Sequence, residues 1–506
     1  MHRGKAIGTS AAADGRPVEP ARSTAGAAGR RPSGGVPTAV VLIDGEHYPP
    51  VVADTLRDLA VDYELVAALF LGGGEKLRDG QAEELDELFG LPVTTVPSAA
   101  PDDAPAVMRA ALDGLLSSTG ALVVVDASDE PVLGYRERFQ LISVALSRGA
   151  RYVGADFEFS PQPLARLSSK PSLAIIGTGK RVGKTAISGF IGRRFGGRFG
   201  FDRVVIVAMG RGGPAAPQVV YGGERLGAQG LLAVSRQGLH AASDYLEDAV
   251  LTGVATVGCR RCGGGMAGAS VSDTVGAALG LVEDMPAVIA VWEGSGSAIP
   301  PVQAQAVVCV ASAAQPPEYT TGYLGTYRML ISDALFLTMC EPPFCDAARV
   351  ESLRHDVTSV NPGIDVVPTV FRPRPVESVA GRRVAFFTTA APESAGLLAR
   401  HLEETYGAQV TALSTDLARR PALSAAVDAA ADRADVFLTE IKAAAVDVVA
   451  EAAAARGKEL VFCDNEPVAL DGRDLAAVVD RLADTALARY AAGEPRSPDT
   501  PEGGKR

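Results

Sequence analysis

The chain has 506 residues, a hydrophobic fraction of 47% and a net charge of −12 at pH 7. This length and hydrophobicity predict roughly two to four well-packed domains. The acidic balance without a long basic stretch argues against a nucleic-acid partner, and no apolar run approaches the ~20 residues of a membrane helix. With six cysteines, too few to form a disulfide framework, and no apolar secretory signal, we expect a cytoplasmic location.

The chain begins with residues 1–36, rich in Ala, Gly, Pro and Arg, for which we predict a disordered tail. An N-terminal Rossmann-like α/β domain is predicted over 37–165, because strands alternate with helices there. Its first strand, Ala39–Ile43, is followed by a polar turn that contains Asp44, Glu46 and His47. Ligands of parallel sheets bind at the carboxyl ends of strands, so these side chains are candidates for substrate or ion binding. Alternatively, they cap the turn or shape a domain interface.

A second domain is predicted over 170–375 and opens with a buried strand, a glycine-rich turn and a helix. The strand is Leu173–Ile176, the turn spans 177–183, and Lys184 and Thr185 begin the helix. Free backbone N–H groups and the helix dipole make this arrangement an anion cradle. Lys184 is placed to reach the β- and γ-phosphates of a nucleotide, and the Thr185 hydroxyl to bind Mg²⁺. The predicted nucleotide-binding residues are Gly179, Lys180, Arg181, Val182, Gly183, Lys184, Thr185 and Ala186.

A carboxylate follows a second buried strand of this domain. The apolar run Ala287–Trp292 ends in Glu293, which is followed by a Gly-Ser-Gly-Ser turn. Downstream of a phosphate loop, one acid at a strand end is the expected partner of Mg²⁺, and we therefore predict Thr185 and Glu293 as metal ligands.

Cationic side chains also follow strands of the second domain. Arg211 comes after the strand Val204–Ala208 and would lie beside the phosphate loop if the two strands are neighbours. Arg260 and Arg261 lie in a glycine-rich segment over 258–265. The same segment contains Cys259-x-x-Cys262, which either binds a metal with Cys340 and Cys345 or supplies ordinary buried and loop cysteines.

A smaller C-terminal α/β lobe is predicted over 381–491, where short apolar strands alternate with alanine-rich helices. Residues 492–506 form a polar stretch that we predict to be disordered. The predicted fold is thus α/β, with doubly wound, mostly parallel sheets and a P-loop NTPase domain between an N-terminal domain and a C-terminal lobe.

The phosphate loop and the Trp292-Glu293-Gly294 strand end resemble those of dethiobiotin synthetase and its relatives. That class has a parallel sheet flanked by helices. Its members transfer a phosphoryl group from ATP to a small acid or couple hydrolysis to movement.

A more extensive resemblance covers the chain from Ala39 to about Leu487. The segments LIDGEHYPP, GTGKRVGKTA, MGRGGP, GCRRCGGG, WEGSGS and TEIKAAAVDV together are similar to the cyclic 2,3-diphosphoglycerate synthetase family. The resemblance implies an ATP-dependent ligase that closes an intramolecular phosphoanhydride in 2,3-diphosphoglycerate, a small phosphorylated acid, and releases ADP and phosphate. It implies ATP and Mg²⁺ as cofactors.

Such chemistry requires cations that bring a triphosphate and a bisphosphorylated acid together. Lys184, Lys180 and Arg211 are predicted catalytic residues, of which Lys184 stabilises transition-state charge. The predicted substrate-binding residues are Arg181, Arg211, Arg260, Arg261, Asp44, Glu46 and His47. Two alternatives are a dethiobiotin synthetase-like ligase that acts on another small acid and a nucleotide-switch or metallochaperone NTPase. Relatives of this loop class are often dimers, and we expect a homodimer.

Overall fold

The computed structural model describes residues 35–73, 84–100, 103–164, 168–222, 226–236, 243–442 and 445–494. Most of the two predicted disordered tails, 1–36 and 492–506, lies outside these residues. Within the described residues, no helix is both long enough and apolar enough to cross a membrane.

The N-terminal part forms a six-stranded sheet in the order β3-β2-β1-β4-β5-β6. All neighbouring strands in it are parallel except the last pair. β1 and β4 are buried apolar runs, and Asp44 and Asp126 lie at their carboxyl ends. The elements are β1 (Thr38–Ile43), α1 (Pro49–Leu59), β2 (Glu64–Phe70), α2 (Leu85–Phe89), β3 (Val93–Thr95), α3 (Ala104–Thr119), β4 (Val123–Asp126), α4 (Tyr135–Ser147), β5 (Arg151–Val153) and β6 (Glu158–Phe159).

The central part contains the phosphate loop, which joins its first strand to its first helix. Its elements are β7 (Ser172–Gly177), α5 (Lys184–Phe199), β8 (Val204–Gly210), β9 (Gln218–Val220), α6 (Ala228–Arg236), α7 (Asp244–Thr252), β10 (Ala255–Cys262), β11 (Ser272–Asp273), α8 (Val275–Asp284), β12 (Ile289–Glu293), β13 (Ala306–Ser312), α9 (Glu318–Thr321), α10 (Gly325–Leu330), β14 (Ala334–Thr338), α11 (Ala347–Val360) and β15 (Asp365–Pro375).

The central strands are ordered β11-β10-β8-β12-β7-β13-β14-β15. Strands β10, β8, β12, β7, β13, β14 and β15 run parallel. The sequence placed Arg211 beside the phosphate loop on the condition that its strand neighbours the phosphate-loop strand. This condition is not met, because β12 lies between β7 and β8. Insertion of β12 instead brings Glu293 next to the phosphate loop, with Glu293 in register with Ile175.

The C-terminal lobe continues the central sheet. Its elements are β16 (Arg383–Phe387), α12 (Ala395–Tyr406), β17 (Gln409–Ser414), α13 (Arg420–Ala430), β18 (Val436–Thr439), α14 (Glu451–Ala455), β19 (Glu459–Ala469) and α15 (Leu475–Ala492). The first part of β15 pairs with β14, and its second part pairs antiparallel with the end of β19. The beginning of β19 pairs with β18 inside the lobe. Central part and lobe therefore share one 13-stranded sheet, and the predicted α/β class with mostly parallel sheets is confirmed.

Two helices connect the parts of the molecule. The last helix, α15, buries Val478, Val479 and Leu482 in the core beneath the phosphate-loop helix α5. On the N-terminal side, α4 packs against α10 of the central part. Gln140 of α4 is 6% exposed, and its amide donates hydrogen bonds to the Thr326 hydroxyl (2.9 Å) and to the Thr321 carbonyl (3.1 Å). These contacts bury α10 between two domains.

Candidate active site

The phosphate loop is fixed from below by two neighbouring strands. Gly183, with φ +94°, adopts a left-handed conformation that favours glycine, and a β-carbon there would lie 2.5 Å from the ring of Phe371 on β15. The Thr338 hydroxyl, at the end of β14, donates a 2.8 Å hydrogen bond to the Val182 carbonyl. The loop conformation thus depends on glycine at 183 and on contacts from β14 and β15.

Lys184 is buried at the start of α5 and points back over the loop. Its Nζ donates hydrogen bonds to the Gly179 carbonyl (2.9 Å) and to the Gly296 carbonyl (2.7 Å). Burial lowers the pKa of Lys184 to about 8, although the nearby Glu293 carboxylate favours the charged form. The ammonium group therefore joins the phosphate loop to the loop that follows β12.

Thr185 and Glu293 face one another. The Thr185 hydroxyl donates to Oε1 of Glu293 across 3.2 Å, and Oε2 of this buried carboxylate has no hydrogen-bond donor among the described residues. Burial raises the pKa of Glu293 to about 7, with a further contribution from the charge of Asp244. A hydroxyl and an incompletely satisfied carboxylate are hard oxygen donors, which fits a Mg²⁺ site completed by water and phosphate oxygens.

Helix α7 adds acidic groups that sequence reasoning missed. Asp248 is 1% exposed, and its carboxyl group lies close enough to that of Glu293 for a side-chain hydrogen bond when one of the two is protonated. Burial, and then the charge of Glu293, raise its pKa well above the usual range. The charge of Asp244 likewise raises the pKa of Glu293. The sequence did contain one indication of these acids. Asp244 and Asp248 are four residues apart, a spacing that places both on one face of α7.

Two predicted arginines converge on the loop after β12. A β-carbon at Gly296 would lie 2.6 Å from Nη2 of Arg211 and 3.2 Å from Nη2 of Arg261. Arg261 is 9% exposed and donates a 2.6 Å hydrogen bond to the Ser295 carbonyl. Burial, and then the charge of Arg211, lower the pKa of Arg261. Arg211, Arg261 and Lys184 thus surround Gly296 although they come from three different elements.

The other predicted cations, like Arg211, have exposed side chains. Lys180 and Arg181 lie at the tip of the phosphate loop, where Arg181 has φ +62°, and Arg260 follows buried Cys259 on β10. Val182 and Ala186 have buried side chains, so only their backbone N–H groups are available to a nucleotide. The exposed cations leave the loop accessible to an anion from solvent.

Asp44 has a structural role in the N-terminal domain. Its Oδ1 accepts hydrogen bonds from the backbone N–H of Glu46 (3.0 Å) and His47 (3.3 Å) and lies 2.8 Å from Nδ1 of His47. Its Oδ2 accepts from the Asp129 N–H at 2.6 Å. These contacts hold the turn after β1 against the loop after β4, and they lie within the N-terminal domain.

The two cysteines of the C-x-x-C segment point to opposite faces of β10. Cys259 is 1% exposed in the core, whereas Cys262 is exposed at the strand end. Residues three apart on an extended strand face opposite sides, which prevents both sulfurs from binding one metal ion. In the described part of the chain, no group of three or more His, Cys, Asp or Glu side chains is arranged to hold a metal.

A glycine-rich loop between a buried strand and a helix, with a lysine and a carboxylate that face it, defines a P-loop nucleotide-binding α/β protein. Three family models of cyclic 2,3-diphosphoglycerate synthetase match this chain: the N-terminal domain over residues 38–160, the P-loop domain over 172–370 and the C-terminal domain over 375–466. The chain belongs to the cyclic 2,3-diphosphoglycerate synthetase family.

Relatives with this name occur in bacteria and archaea. The protein from Rubrobacter xylanophilus is 49% identical over 461 residues, which are 90% of this chain and 98% of the relative. The Thermococcus gammatolerans protein is 42% identical, and the match covers 89% of this chain and 98% of the relative. The Methanothermus fervidus protein is 39% identical, and the match covers 85% of this chain and 93% of the relative. These matches favour the synthetase over both alternatives drawn from the sequence.

Proposed function

We propose that this protein is an ATP-dependent ligase that converts 2,3-diphosphoglycerate into cyclic 2,3-diphosphoglycerate. The observation that carries the proposal is the convergence of Lys184, Arg211 and Arg261 on Gly296, directly beside the phosphate loop. A bisphosphorylated acid next to a triphosphate brings together many negative charges, and their mutual repulsion must be offset by fixed cations.

The first step transfers the γ-phosphoryl group of ATP to one phosphate of the substrate. An oxygen of that phosphate forms a bond to the γ-phosphorus, the bond from the γ-phosphorus to the β–γ bridging oxygen breaks, and ADP leaves. Lys184 exchanges the carbonyls of Gly179 and Gly296 for phosphate oxygens and stabilises the charge that develops on the transferred group. Arg211 and Lys180 are proposed to orient the same group.

The second step closes the ring. An oxygen of the other substrate phosphate attacks the phosphorus of the activated phosphate, and the bond to the terminal phosphoryl group breaks. Inorganic phosphate leaves, and the new bond is the intramolecular phosphoanhydride. The chemistry needs no protein nucleophile, because both attacking groups belong to the substrate. The predicted substrate ligands Arg181, Arg211, Arg260 and Arg261 would hold the two phosphates near one another.

Thr185 and Glu293 are the proposed residues that hold Mg²⁺. A bound Mg²⁺ would neutralise charge on the β- and γ-phosphates. Asp244, Asp248 and the unsatisfied oxygen of Glu293 make this part of the site acidic.

Other assignments stay predictions. Asp44 and His47 contact one another within the N-terminal domain, and their proposed contribution to substrate or ion binding, together with that of Glu46, is testable by substitution. The homodimer and the cytoplasmic location likewise stay predictions.

Phosphorus NMR tests the proposed reaction. Purified protein, Mg²⁺, ATP and 2,3-diphosphoglycerate should convert the monoester signals of the acid into a cyclic pyrophosphate signal as ADP and phosphate appear. Lys184→Ala should abolish this conversion. A matched control is Lys170→Ala, because the Nζ of Lys170 also donates to a backbone carbonyl (Met285, 2.8 Å) but lies before β7, at the opposite end of the strand. ATP consumption without change in the acid would refute the substrate assignment.

A further inference from the structure

Arg328 on α10 is a buried arginine without an acidic partner. It is 3% exposed, and no aspartate or glutamate of the described ranges forms an ion pair with it. Its hydrogen bonds go to backbone carbonyls: Nη1 donates to Leu324 (2.8 Å), and Nη2 donates to Ser297 (2.6 Å) and Met266 (3.3 Å). Its Nε has no acceptor among the described residues. Burial lowers the pKa of Arg328, yet an arginine keeps its charge at neutral pH.

A buried cation of this kind is costly unless a negative charge compensates for it. Two of its three carbonyl partners belong to glycine-rich loops at the candidate site. Ser297 lies in the loop 294–297 after Glu293, and Met266 lies in the segment 263–268 after Arg261. One guanidinium group therefore joins the two loops.

Three cations hold successive carbonyl groups of the loop 294–297. Arg261 binds the carbonyl of Ser295, Lys184 that of Gly296, and Arg328 that of Ser297. In the proposed reaction, Lys184 and Arg261 turn from these carbonyls toward phosphate oxygens. Arg328 is enclosed by α10 and both loops, and Gln140 of the N-terminal domain fixes the same helix through Thr326. Arg328 is thus placed to hold the loop while the other two cations move.

We propose that Arg328 is a positioning residue that fixes the loop 294–297 against the segment 263–268, and that its unpaired positive charge strengthens binding of the bisphosphorylated acid. The second part of this inference rests on the proposed function. The first part concerns the loops alone and does not depend on the reaction.

Two substitutions separate the two parts. Arg328→Met removes both the charge and the hydrogen bonds, whereas Arg328→Lys keeps the charge but lacks the guanidinium fork. We expect Arg328→Met to lower kcat/KM for 2,3-diphosphoglycerate by about 100-fold, the size of effect that follows small displacements of positioned groups. ATP affinity measured without the acid should stay within about threefold, because the hydrogen bonds of Arg328 do not reach the phosphate loop. Arg328→Lys should bind the acid more tightly than Arg328→Met.

Hydrogen–deuterium exchange supplies a readout that needs no turnover. In both variants, peptides that cover 263–268 and 294–297 should exchange faster than in the wild type, while peptides of β7 should not change. Arg489→Met is the control, because Arg489 donates to the Gln305 carbonyl (2.7 Å) and pairs with Asp333 (2.9 Å) near the amino end of β13, away from the site. It should alter neither the exchange of the two loops nor the kinetics.

Each outcome decides one part of the proposal. Unchanged exchange in both loops, or an equal kinetic loss in Arg489→Met, would overturn the positioning role. Equal affinity of Arg328→Lys and Arg328→Met for the acid would overturn the contribution of charge. If the wild type makes no cyclic product, the proposed function fails, and exchange together with direct binding of 2,3-diphosphoglycerate still decides the role of Arg328.

Discussion

The Thr185 hydroxyl donates a hydrogen bond to Glu293 across 3.2 Å, although 108 residues separate the two in the chain. The contact exists because β12 lies directly beside β7 with Glu293 in register with Ile175. Strand order in the central sheet thus places a carboxylate at the start of the phosphate-loop helix, where a nucleotide-bound cation is expected.

The stability of the nucleotide-free protein should depend on the protonation of Glu293. Its pKa rises from 4.5 to about 7 on folding, mainly because the carboxyl is buried. A raised pKa means that this group stabilises the fold fully below pH 4.5, and that the contribution is lost as the pH rises to about 7. The loss in the free energy of unfolding is at most about 3.5 kcal/mol. Thermal unfolding between about pH 5 and pH 8 should therefore show a steeper decline for the wild type than for Glu293→Gln.

A suitable control for this pH effect is Glu459→Gln, since the side chain of Glu459 is 43% exposed and pairs with Arg382 on the surface. Parallel pH curves for the wild type and Glu293→Gln would contradict the prediction.

Gly183→Ala should be more destabilising than an alanine at an unobstructed left-handed glycine. Gly183 has φ +94° and lies against Phe371, whereas Gly381 has φ +71° and a β-carbon added there would meet nothing within 4 Å. We expect Gly381→Ala to lower the free energy of unfolding by about 1 to 2 kcal/mol through backbone strain alone. Gly183→Ala should lower it further, because steric overlap with Phe371 is added. Chemical denaturation measures both, and nucleotide binding should be lost only in Gly183→Ala. Equal losses would show that Phe371 moves aside at no cost.

Arg193 should contribute strongly to the attachment of the C-terminal lobe. It pairs from α5 with the buried Asp464 and with Glu466, both on β19. Arg374 pairs with the same two acids and would compensate in part. We expect Arg193→Ala to lower the free energy of unfolding by about 2 to 3 kcal/mol, which is below the effect of an isolated buried pair.

The exposed pair of Arg383 and Asp435 provides a comparison for Arg193. Arg383→Ala should leave the denaturation midpoint nearly unchanged, because solvent screens such pairs. If both variants were equally stable, the contacts of Arg193 would not hold the lobe in place.

Asp44→Ala should lower the stability of the fold more than it weakens substrate binding. The substitution leaves the N–H groups of Glu46, His47 and Asp129 without their acceptor, which should cost roughly 2 to 3 kcal/mol. Asp54→Ala is the control, since Asp54 is an exposed acid of α1. A stable Asp44→Ala protein with a raised KM for the acid would instead favour the ligand role predicted from the sequence.

Local sequence patterns predicted much of the candidate site. The phosphate loop, Lys184, Thr185 and Glu293 could be found because each lies directly after an apolar run or a glycine-rich turn. Asp248 could not, because an acid in a helix looks like an ordinary surface residue until tertiary packing buries it. Whether β7 and β8 are neighbours could not be predicted either, because strand order in a parallel sheet is not a local property of the sequence.

The connection between the central part and the C-terminal lobe was also hidden from the sequence. The apolar run Leu460–Cys463 predicted a short strand, but β19 continues to Ala469. Its second half contains Asp464, Asn465, Glu466 and Pro467, which is typical of a loop. Pairing with β15, and the arginines that face the acids, stabilise an extended conformation there.

The shared sheet restricts how the enzyme can close around its substrates. A rigid-body rotation of the C-terminal lobe relative to the central part would break the seven residue pairs between β15 and β19, from Thr369–Ala469 to Pro375–Cys463. It would also pull on α15, which returns from the lobe to pack under α5. The lobe and the phosphate-loop domain are therefore expected to move as one rigid unit. Closure of the site would then involve the glycine-rich loops and the N-terminal domain.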